Sequence, residues 1–95
     1  MFPRIVNVRH VQEYCLELTF ADSKQEVIDF RHRVVGRGGV FTPLEDVSFF
    51  KQVKVDPEIG TIVWPNEVDF DPDVLYSEAT STPLPEIVLV APNST

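Results

Sequence analysis

The first third of the chain alternates apolar and polar residues with a period of two, and this pattern restricts the fold most strongly. Every second residue is apolar in the stretch Tyr14, Leu16, Leu18 and Phe20. Successive side chains of a strand point to opposite faces, so this alternation is typical of half-buried strands. It predicts three strands, over residues 4–11, 13–20 and 25–30, in an antiparallel sheet with one solvated face. Residues 21–24 are expected to form a short hairpin loop.

A helix is predicted after the third strand. Residues 31–39 contain three arginines and three glycines, which indicates a loop that starts with a helical turn. Thr42 suits a helix N-cap, Pro43 suits the first helical position, and Glu45 would complete a capping box. An apolar stripe follows, so we predict the main helix over about 43–51.

Two further strands are predicted over 52–56 and 61–64, joined by a tight turn over 57–60. Pro65 would end the second of them, because proline cannot donate to a strand ladder. The pair Asp71-Pro72 then indicates a short helical turn that reaches Tyr76. The element order is β-β-β-α-β-β-α, which predicts a single α+β domain over residues 1–76, with one main helix packed on a small, mainly antiparallel sheet.

The remaining residues, 77–95, have the composition of a linker followed by a strand-like segment over 86–91. An isolated apolar strand must bury its side chains somewhere. It could add to the edge of its own sheet, or to a sheet edge in a neighbouring subunit and so form a homo-oligomer.

Charge divides the chain of 95 residues into two parts. All eight Lys and Arg residues lie at or before Lys54, where seven acids accompany them, so residues 1–54 sum to +1. The rest of the chain carries eight acids and no Lys or Arg. The acidic part is either a solvated surface or a face that attracts a small basic protein partner.

Composition also excludes several classes of protein. One cysteine cannot form an internal disulfide, and the longest apolar run, residues 87–91, is far too short to span a bilayer. Met1 is followed by no long apolar signal segment, so we expect a cytoplasmic protein with no membrane association. A sequence pI near 4.6 makes direct binding of nucleic acid unfavourable.

Several motifs in a fixed order resemble a known family. The chain contains Leu16-Glu17-Leu18-Thr19-Phe20, then Gly39-Val40-Phe41-Thr42-Pro43-Leu44, then Trp64-Pro65-Asn66 and Asp69-Phe70-Asp71-Pro72. Over residues 3–76 this pattern resembles the small bacterial family named domain of unknown function 2442. Ser23 and Glu67 stand where that family usually has glycine. Neither departure affects the predicted fold, since Asn66 can itself adopt a positive φ.

The resemblance implies a small sheet-plus-helix domain, sometimes fused to a helix-turn-helix segment that this chain does not show. It also implies genes paired with small toxin-like partners, and therefore an antitoxin-like role. It supplies no catalytic residues.

No motif for catalysis, cofactor binding or metal binding stands out. Residues 69–73 match the first ligand positions of a calcium loop, but Val74 replaces the required glycine and Thr80 replaces the bidentate glutamate. Gly36-Arg37-Gly38-Gly39 could form an anion-binding nest, although turn formation is the more usual role of such glycines. His10, His32 and Cys15 have no partners at metal-ligand spacing. We therefore expect no enzyme activity and no cofactor.

The sequence thus leaves two functional hypotheses. The first is a small acidic protein-interaction or regulatory module, such as an antitoxin-like partner of a small, basic, toxin-like protein. Its candidate interface combines the arginines after the third strand with the acids and aromatic residues of the second half: Arg31, Arg33, Arg37, Trp64, Glu67, Asp69, Asp71, Asp73 and Tyr76. The alternative is a ligand-binding or enzymatic domain with a pocket between sheet and helix. Core packing is the competing role for Trp64 and Tyr76.

Overall fold

Three consecutive strands form an antiparallel sheet in the order β1-β2-β3. In the computed structural model, which describes residues 2–80, they span Ile5–Gln12, Cys15–Phe20 and Gln25–Asp29. The three strands predicted from the alternation are therefore confirmed. The segment 86–91 lies outside the described residues.

The alternation of β2 separates the two faces of this sheet. Leu16, Leu18 and Phe20 are each at most 1% exposed and point into the core. The intervening residues Cys15, Glu17 and Thr19 are half-buried on the opposite face. One face is therefore packed and the other partly solvated, as the period-two pattern predicts.

The second sheet consists of β4 (Lys54–Asp56) and β5 (Thr61–Val63), which pair antiparallel across the turn 57–60. The two sheets are joined at Ile5, whose backbone N–H donates to the carbonyl of Gly60 at 3.0 Å. This bond places the β4–β5 turn beside the start of β1.

The predicted main helix over 43–51 is wrong as a continuous element. A 3₁₀ helix covers Gly39–Glu45 and a single α-helical turn, α2, covers Val47–Phe50. The N-cap of α2 is Asp46, whose carboxylate accepts from the Ser48 N–H at 2.9 Å. Thr42 caps nothing, since it lies inside the 3₁₀ helix.

Two tertiary contacts to Glu45 explain this break. The Tyr14 hydroxyl donates to the Glu45 backbone carbonyl, and the Glu45 carboxylate accepts from the Gly36 N–H at 2.9 Å. The glutamate therefore cannot close a capping box, and the chain turns at Asp46, which has extended backbone angles. The helical turn predicted after β3 is present as α1 (Arg31–Val34).

The longest helix among the described residues is α3 (Pro72–Thr80). Its start agrees with the predicted cap, because Asp71 Oδ1 accepts from the Asp73 N–H at 2.8 Å. The helix continues beyond residue 76, so residues 77–80 are helical despite their linker-like composition. No helix within residues 2–80 is long and apolar enough to cross a membrane.

The core lies between the sheets and the helices and is rich in aromatic residues. Four rings form one cluster in which neighbouring centroids lie 5.4–6.4 Å apart: Phe30, Phe50, Trp64 and Phe70. The Trp64 indole N–H donates to the Phe50 carbonyl at 2.7 Å. This bond ties β5 and its following turn to α2.

Candidate protein-interaction groove

The stretch from Glu67 to Asp73 forms an acidic edge. Its backbone runs antiparallel to β5, with the Trp64 N–H donating to the Val68 carbonyl at 2.9 Å and the Thr61 hydroxyl donating to the Phe70 carbonyl at 2.6 Å. Val68 is buried and Phe70 half-buried, while the acids between and beside them face outward. The alternation therefore directs the carboxylates of Glu67, Asp69 and Asp71 to solvent, and the half-buried Asp73 follows in the first turn of the helix Pro72–Thr80. We define the acidic edge as Glu67, Asp69, Asp71 and Asp73.

A surface groove of about 270 Å³ lies at the α3 end of this edge. It is bounded by the segment before β1, the β4–β5 turn and the first turn of α3. Its lining combines three apolar residues with three acids and one arginine. We call the apolar lining residues, Phe2, Ile59 and Pro72, the floor, and the charged ones, Arg4, Glu58, Asp71 and Asp73, the rim.

Arg4 is held across the β4–β5 turn. Its Nη2 donates to the carbonyls of Pro57 at 2.6 Å and Glu58 at 3.2 Å. Glycine at position 60 leaves room for the Arg4 side chain, because a Cβ on residue 60 would lie 2.5 Å from Arg4 Nε. The guanidinium is thus bound to backbone carbonyls and forms no ion pair with the carboxylates of the rim.

Many of the acids, including Asp71 of the groove, have a structural role. Each of five aspartates accepts a hydrogen bond from the backbone N–H two residues later, at 2.8–3.1 Å: Asp22, Asp29, Asp46, Asp56 and Asp71. Such bonds stabilise turns and helix starts. Within residues 2–80 the side chains of Glu58, Glu67, Asp69 and Asp73 make no hydrogen bond or ion pair. These four carboxylates remain available to a partner.

The arginines of the predicted interface lie elsewhere, on α1 and the loop after it. Arg31 forms an ion pair with Glu13 and lies 4.8 Å above the Tyr14 ring. Arg33 forms an ion pair with Glu78 of α3, and Arg37 donates to the His32 carbonyl at 3.5 Å. None of these arginines lines the groove.

The two aromatic candidates are buried. Trp64 is 1% exposed, so its indole packs in the core and presents no surface for a partner. Tyr76 is 9% exposed and donates from its hydroxyl to Asp22 Oδ2 at 2.7 Å. This bond raises the pKa of Tyr76 and lowers the pKa of Asp22.

Of the nine candidate residues, Asp71 and Asp73 line the groove and Glu67 and Asp69 continue from it along the acidic edge. Sequence reasoning missed the remaining lining residues: Phe2, Arg4, Glu58, Ile59 and Pro72. One signal could have revealed the groove. Ile59 is a large apolar residue in a tight turn, and its side chain is 50% exposed.

Cys15 is half-buried on the outer face of the first sheet. Burial and the nearby Asp29 carboxylate raise the pKa of its thiol. A raised pKa reduces the thiolate fraction at neutral pH, which disfavours nucleophilic chemistry. Within the described part of the chain, no three His, Cys, Asp or Glu side chains are grouped so that they could hold a metal ion.

A family model matches residues 5–81 of the chain. The chain belongs to the DUF2442 family, described as proteins of unknown function. This confirms the resemblance seen in the motifs. The match takes in both sheets, the acidic edge and α3, while Phe2 and Arg4 of the groove precede it. No curated protein and no solved structure matches this DUF2442 chain significantly.

Proposed function

We propose that this DUF2442 domain is a non-enzymatic protein-interaction module that binds a basic segment of a small partner protein in its groove. The observation that carries the proposal is the combination of an apolar floor with a rim of three carboxylates. Lys and Arg side chains bury their aliphatic stems on apolar surface while the charged head stays at a polar rim. Ile59 and Phe2 offer such a floor, and Glu58 and Asp73 offer acceptors for the head.

Charge at longer range supports the same partner. Residues 55–80 carry seven acids and no Lys or Arg. A concentrated negative potential steers a basic partner and raises its association rate. The acidic edge extends this potential from the groove towards Glu67.

An antitoxin-like role in the cytoplasm is the finer form of this proposal. It is supported by the family's association with small toxin-like partners, which the motif resemblance implies. In this form the domain binds and neutralises a small basic protein.

The test is co-expression with the product of a neighbouring gene that encodes a small basic protein, followed by calorimetry. The variant Glu58→Gln/Asp73→Asn removes two rim charges and keeps the Asp71 cap of α3. The control Glu17→Gln/Glu26→Gln removes two charges from the first sheet. We expect the groove variant to weaken binding at least roughly tenfold and the control to change it much less, with the difference shrinking in high salt.

Two results would contradict the proposal. One is the absence of a complex with any small basic neighbour. The other is a complex whose affinity is the same for the groove variant and for the wild type.

A second candidate function is small-ligand binding in the same groove, favoured by the cavity itself. Its volume of about 270 Å³ lies just below the range of about 300–1,000 Å³ that is usual for ligand pockets. Titration with agmatine, a small cation with an aliphatic stem, would shift the amide resonances of Ile59 and Asp73 if this function applies. Unchanged resonances at millimolar agmatine would exclude a small cationic ligand.

A further inference from the structure

The strand β3 forms an edge of the first sheet. The sheet order β1-β2-β3 leaves no strand beyond it among the described residues. The pairing of β3 with β2 runs without a bulge, whereas the pairing of β1 with β2 contains two register shifts. Lys and Pro often protect a strand edge from further pairing, and β3 contains neither. A regular edge without such protection is a template for another strand.

The hydrogen-bond alternation shows which backbone groups of β3 are open. The Phe30 N–H, directly after the strand, donates to the Tyr14 carbonyl at 2.8 Å. Backbone groups alternate in direction along an antiparallel strand, so the even-numbered residues of β3 bond to β2. The residues whose N–H and C=O groups point to the free edge are Gln25, Val27 and Asp29.

We propose that a second copy of the chain pairs antiparallel with this edge, β3 against β3, so that two domains share one six-stranded sheet about a twofold axis. In such a dimer the odd-numbered residues of one strand must face odd-numbered residues of the other, because these carry the open backbone groups. The register centred on Val27 meets this condition and pairs all five residues of β3.

The side chains of β3 are self-complementary in this register. Val27 packs against Val27 of the copy, which covers an apolar side chain that is 53% exposed in the single chain. Gln25 lies opposite Asp29 of the copy, twice in each dimer, so an amide donor faces a carboxylate acceptor. Asp29 Oδ1 accepts from the Arg31 N–H at 2.9 Å, and the other oxygen is available to the Gln25 amide of the copy.

The two neighbouring registers are unfavourable. A register centred on Glu26 places this carboxylate directly opposite its own copy, and like charges in that position destabilise a strand pair. A register centred on Ile28 places the exposed Val27 opposite the Asp29 carboxylate. Charge and apolar surface therefore both select the register centred on Val27.

The proposed dimer does not use the groove. No residue of β3 lines the groove, and no groove residue lies on the free edge of the first sheet. Self-association through β3 and binding of a basic partner in the groove are thus two properties that can be measured separately.

Sedimentation velocity of the full chain over about 0.01–1 mM tests the dimer, because a small interface gives a weak complex. The variant Val27→Glu places two carboxylates opposite each other at the centre of the interface. The control Asn7→Glu adds the same charge on an exposed position of β1. We expect Val27→Glu to weaken the dimer at least roughly tenfold relative to the control.

A second variant is designed to strengthen the same contact. Gln25→Lys places an ammonium group opposite Asp29 of the copy, and Asn7→Lys is its charge-matched control. We expect Gln25→Lys to tighten the dimer at least about threefold relative to that control. A damaged fold would not produce such a gain. The Ile28 amide, which faces β2, should stay protected from hydrogen exchange in every variant and so reports an intact fold.

A wild-type chain that stays monomeric at the highest concentration would overturn the proposal. A dimer whose affinity in Val27→Glu and Gln25→Lys equals that of the matched controls would also overturn it, because the two copies would then associate through another surface.

Discussion

The Tyr76 hydroxyl donates a hydrogen bond to Asp22 Oδ2 at 2.7 Å and joins α3 to the β2–β3 loop, 54 residues away in sequence. The other oxygen of the same carboxylate accepts from the Lys24 N–H at 3.1 Å. The Tyr76 ring packs on Phe20 and Phe2, with centroids 5.0 and 4.8 Å away. A single carboxylate therefore fixes both a hairpin loop and the longest helix.

This pair gives the stability of the domain a defined pH dependence. The hydrogen bond from Tyr76 holds the pKa of Asp22 below its usual value, so its stabilisation is present above about pH 4 and is lost as pH falls through the folded-state pKa. The same bond raises the pKa of Tyr76, so that stabilisation is present below about pH 10 and is lost as pH rises further.

We predict that Tyr76→Phe lowers the melting temperature between about pH 5 and 9 and that its difference from the wild type shrinks below about pH 4. The control is Tyr14→Phe, because the Tyr14 hydroxyl donates to a backbone carbonyl that does not titrate in this range. Its cost should be constant over the same acidic range. Calorimetric melting from pH 2 to 9 measures both, and parallel curves for Tyr76→Phe and the wild type would contradict the prediction.

Two hairpin loops have the same geometry, and in each the last loop residue adopts a backbone conformation that glycine adopts more easily than other residues. The Ser23 N–H donates to the Phe20 carbonyl at 2.8 Å, and the Glu67 N–H donates to the Trp64 carbonyl at 2.8 Å. Ser23 and Glu67 have φ of 77° and 71°. Each loop is thus a three-residue turn that ends on a left-handed residue. In the second loop the positive φ lies at Glu67, one residue after Asn66.

We predict that Ser23→Gly and Glu67→Gly each stabilise the domain by about 0.5–1 kcal/mol. Relief of the left-handed strain, about 1–2 kcal/mol per residue, exceeds the entropy that glycine adds to the unfolded chain. Urea denaturation with an unchanged m-value measures the gain. Ser48→Gly in α2 is the control and should destabilise. A loss of stability in both loop variants would contradict the assigned strain.

The sequence predicted the strands of this domain better than its helices, for a physical reason. The alternation in β2 is set by one buried face, which the sequence displays directly as Leu16, Leu18 and Phe20. The break at Asp46 depends instead on Tyr14, 31 residues away from Glu45. A capping motif depends only on residues that are close in sequence and gives no information about such a distant contact. Thr42 and Glu45 therefore predicted the wrong N-cap.

The candidate site was predicted only where charge and alternation coincide. Asp71 follows a stretch whose apolar residues, Val68 and Phe70, face inward; Asp73 lies in the first turn of α3, and both line the groove. Phe2 and Arg4 reach the groove only because the Ile5–Gly60 bond brings the start of β1 to the β4–β5 turn. Trp64 lies close to acids in the sequence, but its indole is buried and its N–H donates to the Phe50 carbonyl, so Trp64 is a core residue.

We predict that Asp46→Ala destabilises the domain by about 1 kcal/mol, because the Ser48 N–H at the start of α2 loses its acceptor. Thr42→Ala is the matched control, since Thr42 is exposed inside the 3₁₀ helix and should cost less than about 0.5 kcal/mol. Urea denaturation compares the two. A larger loss for Thr42→Ala would favour the cap that the sequence first indicated.

Trp64→Phe should destabilise the domain by about 2–3 kcal/mol, through a cavity in the core and the loss of one buried hydrogen bond. The indole is 1% exposed and its N–H donates to the Phe50 carbonyl at 2.7 Å, so no other side chain can take its place without repacking. Phe49→Leu, at a half-buried position beside Phe50, is the control and should cost less than half as much. Urea denaturation measures the free energy of unfolding of both variants. Under conditions in which Trp64→Phe is fully folded, we expect it to bind a basic partner as tightly as the wild type does. If the folded Trp64→Phe protein bound the partner more weakly, Trp64 would have a role in the interface, which would contradict its assignment to the core.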